Sequence, residues 1–437
     1  MTKKNHGNIF DITMNIVVVK MKRRKLLQEY AKLIKEKAND FFFKLCHRKD
    51  PQNFTRKRKL GFAEVLLIML NFKTKSNALE TYNFATEINE SDPASRQAFE
   101  KARDNIKSSA FKEFFEDSVQ MAVSADDAKL FHGYRVGAID GSTALLPKSD
   151  ELAKKYGSST PVEGNTYARI SLCNDVLNGV VLDGEISDFS IGERKLAMKH
   201  IEKDICPNML YLFDRGYWSP ELVAAICDRG QKFLMRLASN AILAISNSKE
   251  TSGNHTISFN GKKYVLRYYK FELSSGEIEY LLTNLEREEV SDRELVDLYH
   301  LRWGIETKYD ELKNRLQFEG LSGKSVNIVE QDFYASLIVM NMTGFAIAAA
   351  DAKVQEKHKE KNNKHACKPN GNMAVGILKN RFIKAIIEDD PLLQANMIDK
   401  LINDISRFVI PIKPDRHYPR SKTISKHRRT RRPKNPL

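Results

Sequence analysis

The sequence predicts an α/β domain, preceded by an all-helical region and followed by a second helical region. Three observations carry that expectation. Short apolar runs rich in β-branched residues alternate with helical stretches between about Tyr134 and Arg229. A β-rich block follows, from about Phe233 to Leu285. On either side of this central part, apolar residues recur at helical spacing.

Taken in order, residues 22–48 and Phe62–Leu70 read as helices, separated by a basic run from Phe54 to Lys59. Pro93–Ile106 reads as a short helix with one basic face. Two alternatives stand for this region: a module that enters a DNA groove, or a plain bundle with a solvated basic face. Val136–Ile139 is a short strand ending at Asp140. Tyr167–Leu172 and Val180–Ile186 are strand-like, and a helix runs from Gly192 to about Lys203. Leu210–Phe213 is a strand ending at Asp214, with a helix over Pro220–Arg229.

In the β-rich block the runs are Thr256–Phe259, Tyr264–Phe271 and Ile278–Leu282, with a hairpin signal at Asn260-Gly261. Ser291 and Glu294 form a capping box that starts a helix reaching about Leu316. The apolar run Leu337–Ala350 is too short and interrupted to span a bilayer, so it reads as a buried core helix. Residues 351–370 read as a mobile linker, and Ala374 to about Ile405 as a final helical segment.

The chain has 437 residues, a formal net charge of +15 and an isoelectric point near 9.3. That balance favours a polyanionic partner. Residues 416–437 hold nine lysines and arginines and no acid, which leaves the rest of the chain basic by six. This tail is expected to be disordered when unbound and to add nonspecific DNA affinity. The five cysteines are scattered and odd in number, without a C-x-x-C pair. They read as reduced thiols of a cytoplasmic protein. No signal-peptide order or membrane association is expected. The ten histidines show no metal-ligand spacing, and no serine-histidine-acid order is visible. Zinc chemistry and nucleophilic serine catalysis are therefore unsupported.

The chemistry-bearing stretch is YHLRWGIETKYDELKNRL, with Tyr299, Arg302, Glu306 and Lys313. At about 100° per residue their offsets fall within roughly a 60° arc of an ideal α-helix. A carboxylate able to hold a hard cation thus shares a stripe with groups able to hold phosphate. Asp140, followed by Gly-Ser-Thr, and Asp214, followed by Arg-Gly-Tyr, are acids at expected strand ends. With Glu306 they make three carboxylates, enough for two divalent cations acting on a phosphodiester. Asp150, Asp175, Asp183, Asp188 and Glu193 are rival acids. Glu193 is the best of them, although the dipole at a helix N-terminus also explains it. Arg215 could tune Asp214, touch DNA or form an ion pair. Trp303 could stack on DNA or pack in the core, with packing favoured there and at Trp218. Ser142 and Thr143 could bond a DNA end or serve a turn.

These residues resemble the DDE transposases of bacterial insertion sequences, in the group marked by Y-x2-R-x3-E-x6-K. Tyr299, Arg302, Glu306 and Lys313 match every fixed position, and IDGS at Asp140, DRGY at Asp214 and LLTNL before the signature resemble the family's landmarks. The resemblance covers about residues 55 to 350. It implies a ribonuclease H-like mixed sheet flanked by helices, interrupted by a β-rich insertion. It implies Asp140, Asp214 and Glu306 as the catalytic and metal-binding triad for two Mg²⁺ ions, with Mn²⁺ as substitute. It also implies that Tyr299, Arg302 and Lys313 grip DNA phosphates, and that a homodimer joins double-stranded transposon ends to target DNA.

The corresponding division is 1–132 helical and DNA-end binding, 133–232 and 286–350 the two parts of the core, and 233–285 the insertion. Residues 351–415 would be helical and dimerising, and 416–437 the basic tail. A nuclease of the same fold that does not join strands, or an inactive DNA-binding relative, are the alternatives.

Overall fold

The computed structural model describes residues 22–71, 76–157, 165–273, 275–321, 323–359 and 366–412. The expectation for the basic tail lies outside these residues. At the centre is an eight-stranded sheet in the order β3-β2-β1-β4-β5-β8-β7-β6. Its strands are β1 (Arg135–Leu146), β2 (Thr166–Asp175), β3 (Val180–Asp188), β4 (Met209–Phe213), β5 (Lys232–Leu237), β6 (Ser252–Phe259), β7 (Lys262–Glu272) and β8 (Ile278–Thr283). β1, β2 and β3 form an antiparallel meander, while β1, β4 and β5 run parallel. Helices flank the sheet, so the class is the expected α/β mixed sheet.

Two features of this sheet position the candidate acids. Every residue of β4 is buried, and the strand stops at Phe213, which puts Asp214 just beyond its carboxyl end as expected. β1 differs from expectation. It is twelve residues long, and Asp140 sits in its middle, not at its end. The parallel pairing with β4 ends at Ala138, opposite Leu212. Beyond that point β1 continues against β2 alone, with Asp140 opposite Leu172. Asp140 therefore stands where the sheet splits, beside the end of β4.

The β-rich block is less separate than its sequence suggests. β8 pairs antiparallel with β5, so β6, β7 and β8 extend the same sheet. The β6–β7 turn has positive φ at Asn260 (47°) and Gly261 (78°), as a tight two-residue hairpin requires.

The N-terminal helices cover Leu26–Asn39, Phe41–His47, Phe62–Leu70, Asn77–Asn83, Arg96–Asp104 and Ser109–Val123. The first expected helix is broken at Asp40, whose side chain accepts from Phe43 N–H and starts a new helix. The long helix Val326–Lys359 is long and apolar enough to cross a membrane, but its most apolar window is 78% buried within the protein. Asn341 fixes it to the sheet, accepting from Val181 N–H and donating to Val181 O. Gly184 allows the close approach, because a Cβ there would meet Leu337 Cδ1. One hydrophobic cluster runs from the N-terminal helices through the sheet to the C-terminal helices.

A further expectation needs correction. Residues 351–359 continue the long helix and are not a linker. Residues 360–365 lie outside the described part. The final helical segment is made of three helices: Gly371–Leu378, Arg381–Ile387 and Pro391–Arg407. Asn380, at φ 62°, breaks the first boundary, and Pro391 starts the last helix. Cys367–Pro369 pairs with Val409–Pro411 as a small second sheet.

Candidate active site

Asp140 is held through its backbone from two sides. Tyr309 Oη donates to the Asp140 carbonyl at 2.6 Å, and Ser171 Oγ donates to it at 3.3 Å. Behind Ser171 stands His200, with Nε2 2.9 Å from the serine hydroxyl and Nδ1 2.6 Å from Asp183. Lys203 completes the chain with contacts to Asp183 and Glu185. Burial pushes the Asp183 carboxyl up, but the hydrogen bond and charge of His200, with Lys203, bring it down to about 2. A Ser–His–Asp constellation thus exists that no spacing in the sequence announced. Ser171 and His200 are fully buried, and the serine hydroxyl is committed to a carbonyl, so the chain is a brace for β1 and not a nucleophile.

The Asp140 side chain accepts from Gly141 N–H at 2.8 Å. Burial raises its pKa to about 6; the Gly141 N–H and Arg302 oppose the rise, while Glu193 and Asp214 add to it. Asp214 accepts from Arg215 N–H at 2.7 Å and lies 3.5 Å from Tyr299 Oη, too long for a strong hydrogen bond.

Glu306 arrives on the signature segment, whose capping box at Ser291 is present as expected. The segment is not one regular helix. It runs as an α-helix over Asp292–His300, a 3₁₀ turn over Leu301–Trp303, an α-helix over Gly304–Asp310 and a π-helical turn over Glu311–Arg315. The ideal stripe is therefore re-aimed twice. Tyr299 still faces Asp214, and Arg302 reaches both Asp140 and Glu306, but Lys313 turns to β1, where Nζ donates to Thr143 O at 2.6 Å.

The organising group is the Arg302 guanidinium, which is only 3% exposed. Its Nη2 donates to Glu306 at 3.1 Å, and its Nη1 lies 3.9 Å from Asp140. Asp214 is close enough to add to the charges stabilising its cation. Its Nε has no hydrogen-bond partner. Carboxylates from β1 and the signature segment thus flank one buried cation, whose charge Asp214 at the end of β4 also feels.

Two groups that the sequence reading undervalued also face this site. Glu193, at the start of the Glu193–Glu202 helix, pairs with Arg169 at 3.2 Å and packs over Gly141. A Cβ at Gly141 would fall 2.6 Å from Glu193 Cγ, so glycine beside Asp140 serves this contact. Tyr217 is buried, its hydroxyl has no partner, and its proton is held tightly by burial and by the charges of Asp140 and Glu193. The DRGY motif contained it, but nothing in the spacing marked it. Trp303 is 44% exposed and does not take the favoured packing role, whereas Trp218 packs against the core. Arg215 is exposed, beside Asp214.

Among the described residues, no three His, Cys, Asp or Glu stand close enough to hold a metal ion. The donors nonetheless fit a divalent cation in kind. They are hard carboxylate oxygens, and the place among them already takes positive charge from Arg302. To share an ion they would have to turn away from the guanidinium.

Residues 131–342 match the family model described as the transposase DDE domain. That stretch contains Asp140, Asp214, Glu306 and the whole eight-stranded sheet. No curated protein matches the chain. Among solved structures, the chain is similar to one in a cryo-EM structure of the piggyBac transposase synaptic complex with hairpin DNA. The identity is 13%, 88% of this chain and 84% of that chain are covered, and the TM-score is 0.45.

Proposed function

We propose that this chain is a cut-and-paste transposase of a bacterial insertion sequence, acting on double-stranded DNA at the element's ends. One observation supports the reading above others. Asp140 and Glu306 flank Arg302, with Asp214 near enough to act on its charge, inside the stretch that matches a transposase DDE domain.

In this reading the three acids hold two Mg²⁺ ions, with Mn²⁺ as substitute. When bound, the ions would activate the attacking oxygen and stabilise the leaving one. The remaining work falls to the chain's own residues. Ser171 on β2 holds the Asp140 backbone within the sheet, and Tyr309 ties that backbone to the signature segment that carries Glu306. Arg302, turning from Glu306 and Asp140, forks onto phosphate oxygens beside the cut. Tyr299 donates a further hydrogen bond, Lys313 supplies a point charge, and Arg215 and exposed Trp303 border the strand.

Hydrolysis adds water across a P–O3′ bond and leaves a 3′-hydroxyl and a 5′-phosphate. The 3′-oxygen then attacks a target phosphorus, and the target's own 3′-oxygen leaves. One phosphodiester bond forms for each one broken, so no external energy source is needed. Joining two ends calls for a homodimer, with residues 351–415 as the proposed contact, in the cytoplasm where the nucleoid lies.

The test uses a linear duplex carrying the DNA that flanks the reading frame. Wild type should cut at the element's ends only with Mg²⁺ or Mn²⁺, and the Asp140→Asn, Asp214→Asn and Glu306→Gln variants should not. Cutting in the presence of a chelator, or by all three variants, would overturn the proposal.

A further inference from the structure

The run Thr55-Arg56-Lys57-Arg58-Lys59 could be no more than a solvated basic loop. Its surroundings argue otherwise. The segment faces the Arg96–Asp104 helix across a cavity of about 920 Å³. Arg56, Arg58 and Lys59 line one wall and Lys101 the other, and no Asp or Glu lines it. Lys59 reaches Asp92 at 3.3 Å. Among the described residues, no carboxylate pairs with Arg56, Arg58 or Lys101. Three unneutralised cations on facing walls focus positive potential into the space between them.

The cleft is also braced. Lys49 N–H donates to Asn105 O at 2.9 Å, and Lys107 N–H donates to His47 O at 2.8 Å, which ties the loop's base to the end of the helix. Arg48 holds Asn53 O at 3.2 Å. Phe54, at φ 58°, packs edge-on against Phe62 with centroids 5.5 Å apart. The opposite wall is anchored through buried Arg103, which pairs with Asp332 at 2.8 Å and donates to Gln331 on the long core helix. The cleft is therefore fixed relative to the catalytic sheet.

We infer that this cleft is a second nucleic-acid site, gripping the sugar-phosphate backbone of double-stranded DNA away from the acid cluster. A cavity of this size exceeds a lone phosphate and suits a stretch of backbone. Two of its three free cations are arginines, which can fork onto phosphate oxygens. The inference rests on the transposase reading only for the choice of DNA as the polyanion.

The test measures binding of a fluorescein-labelled duplex of random sequence by anisotropy, as a function of salt, with the full chain. For Arg56→Ala/Arg58→Ala the slope of log affinity against log salt should fall by about 1.8, near 0.9 per lost contact, and by about 2.7 with Lys101→Ala added. Lys154→Ala/Lys155→Ala removes the same charge from an exposed helical surface and should leave the slope unchanged. An unchanged slope in the cleft variants, or an equal fall in the lysine control, overturns the inference. Metal-dependent cutting by wild type is scored separately: a slope that falls as expected without any cutting keeps the cleft and removes the transposase reading.

Discussion

Replacing Asp140 with Asn should stabilise the protein at neutral pH while abolishing its activity. The Asp140 carboxyl titrates near 6 in the fold against an ordinary 3.8, chiefly because it is buried. A group whose folded pKa is raised favours the folded state when protonated. Its contribution is most favourable below about pH 3.8 and is lost as pH rises through about 6. The ionised carboxylate then costs about 3 kcal/mol at pH 7.5 and about 1.6 kcal/mol at pH 5. Asn keeps the oxygen that accepts from Gly141 N–H and removes the charge. The attraction of Arg302, 3.9 Å away, is already part of that balance. The net gain should be about 3 kcal/mol at pH 7.5, shrinking by about 1.4 kcal/mol at pH 5. Urea unfolding followed by Trp218 and Trp303 fluorescence measures it. A variant no more stable than wild type at pH 7.5, or a gain independent of pH, would refute the reasoning. Added Mg²⁺ should stabilise wild type and leave Asp140→Asn unmoved, which the same titration reads.

Other perturbations separate the parts of the site. Arg302→Ala strips the carboxylates of their cation and should destabilise the fold by about 1–3 kcal/mol, moving Asp140 still further above the ordinary range; carboxyl NMR titration reads the shift. Gly141→Ala forces Glu193 aside and away from Arg169, so it should cost about 1 kcal/mol, and a Glu193→Ala change beside it should restore stability in the same melt. His200→Ala leaves buried Asp183 without its main partner and should cost about 3–5 kcal/mol at pH 7. The stability that Asp183 contributes is present above about pH 3.8 and lost as pH falls through about 2, so acid unfolding of wild type should sharpen there and that of the variant should not.

Much of the architecture can be read locally. Phe62–Leu70 is a helix at the bounds its apolar spacing indicates, and the Asn260-Gly261 hairpin and the Ser291 capping box sit where their chemistry requires. The failures share a cause, which is that long-range pairing leaves no local trace. β1 runs on past Asp140 because β2 pairs with it, although Gly141-Ser142-Thr143 reads as a turn. That glycine answers to the bulk of Glu193, more than fifty residues away. The β-rich block joins the main sheet through β5 and β8, an association that neither strand's alternation encodes. The Ser171–His200–Asp183 brace unites two strands and a helix whose members have no fixed spacing. The acids could be listed from sequence, but the placement of Arg302 between Asp140 and Glu306 goes with the 3₁₀ turn at Leu301–Trp303, which the sequence did not announce.

The measurement that bears most directly on the shared role of Asp140, Asp214 and Glu306 is joining of pre-cut element ends to a target plasmid in Mg²⁺. Single variants and the triple variant are compared side by side. If the acids act as one unit, each single change should reduce joining to the same residual level as all three together. Losses that multiply independently, or any single variant that joins ends as wild type does, would contradict a common site.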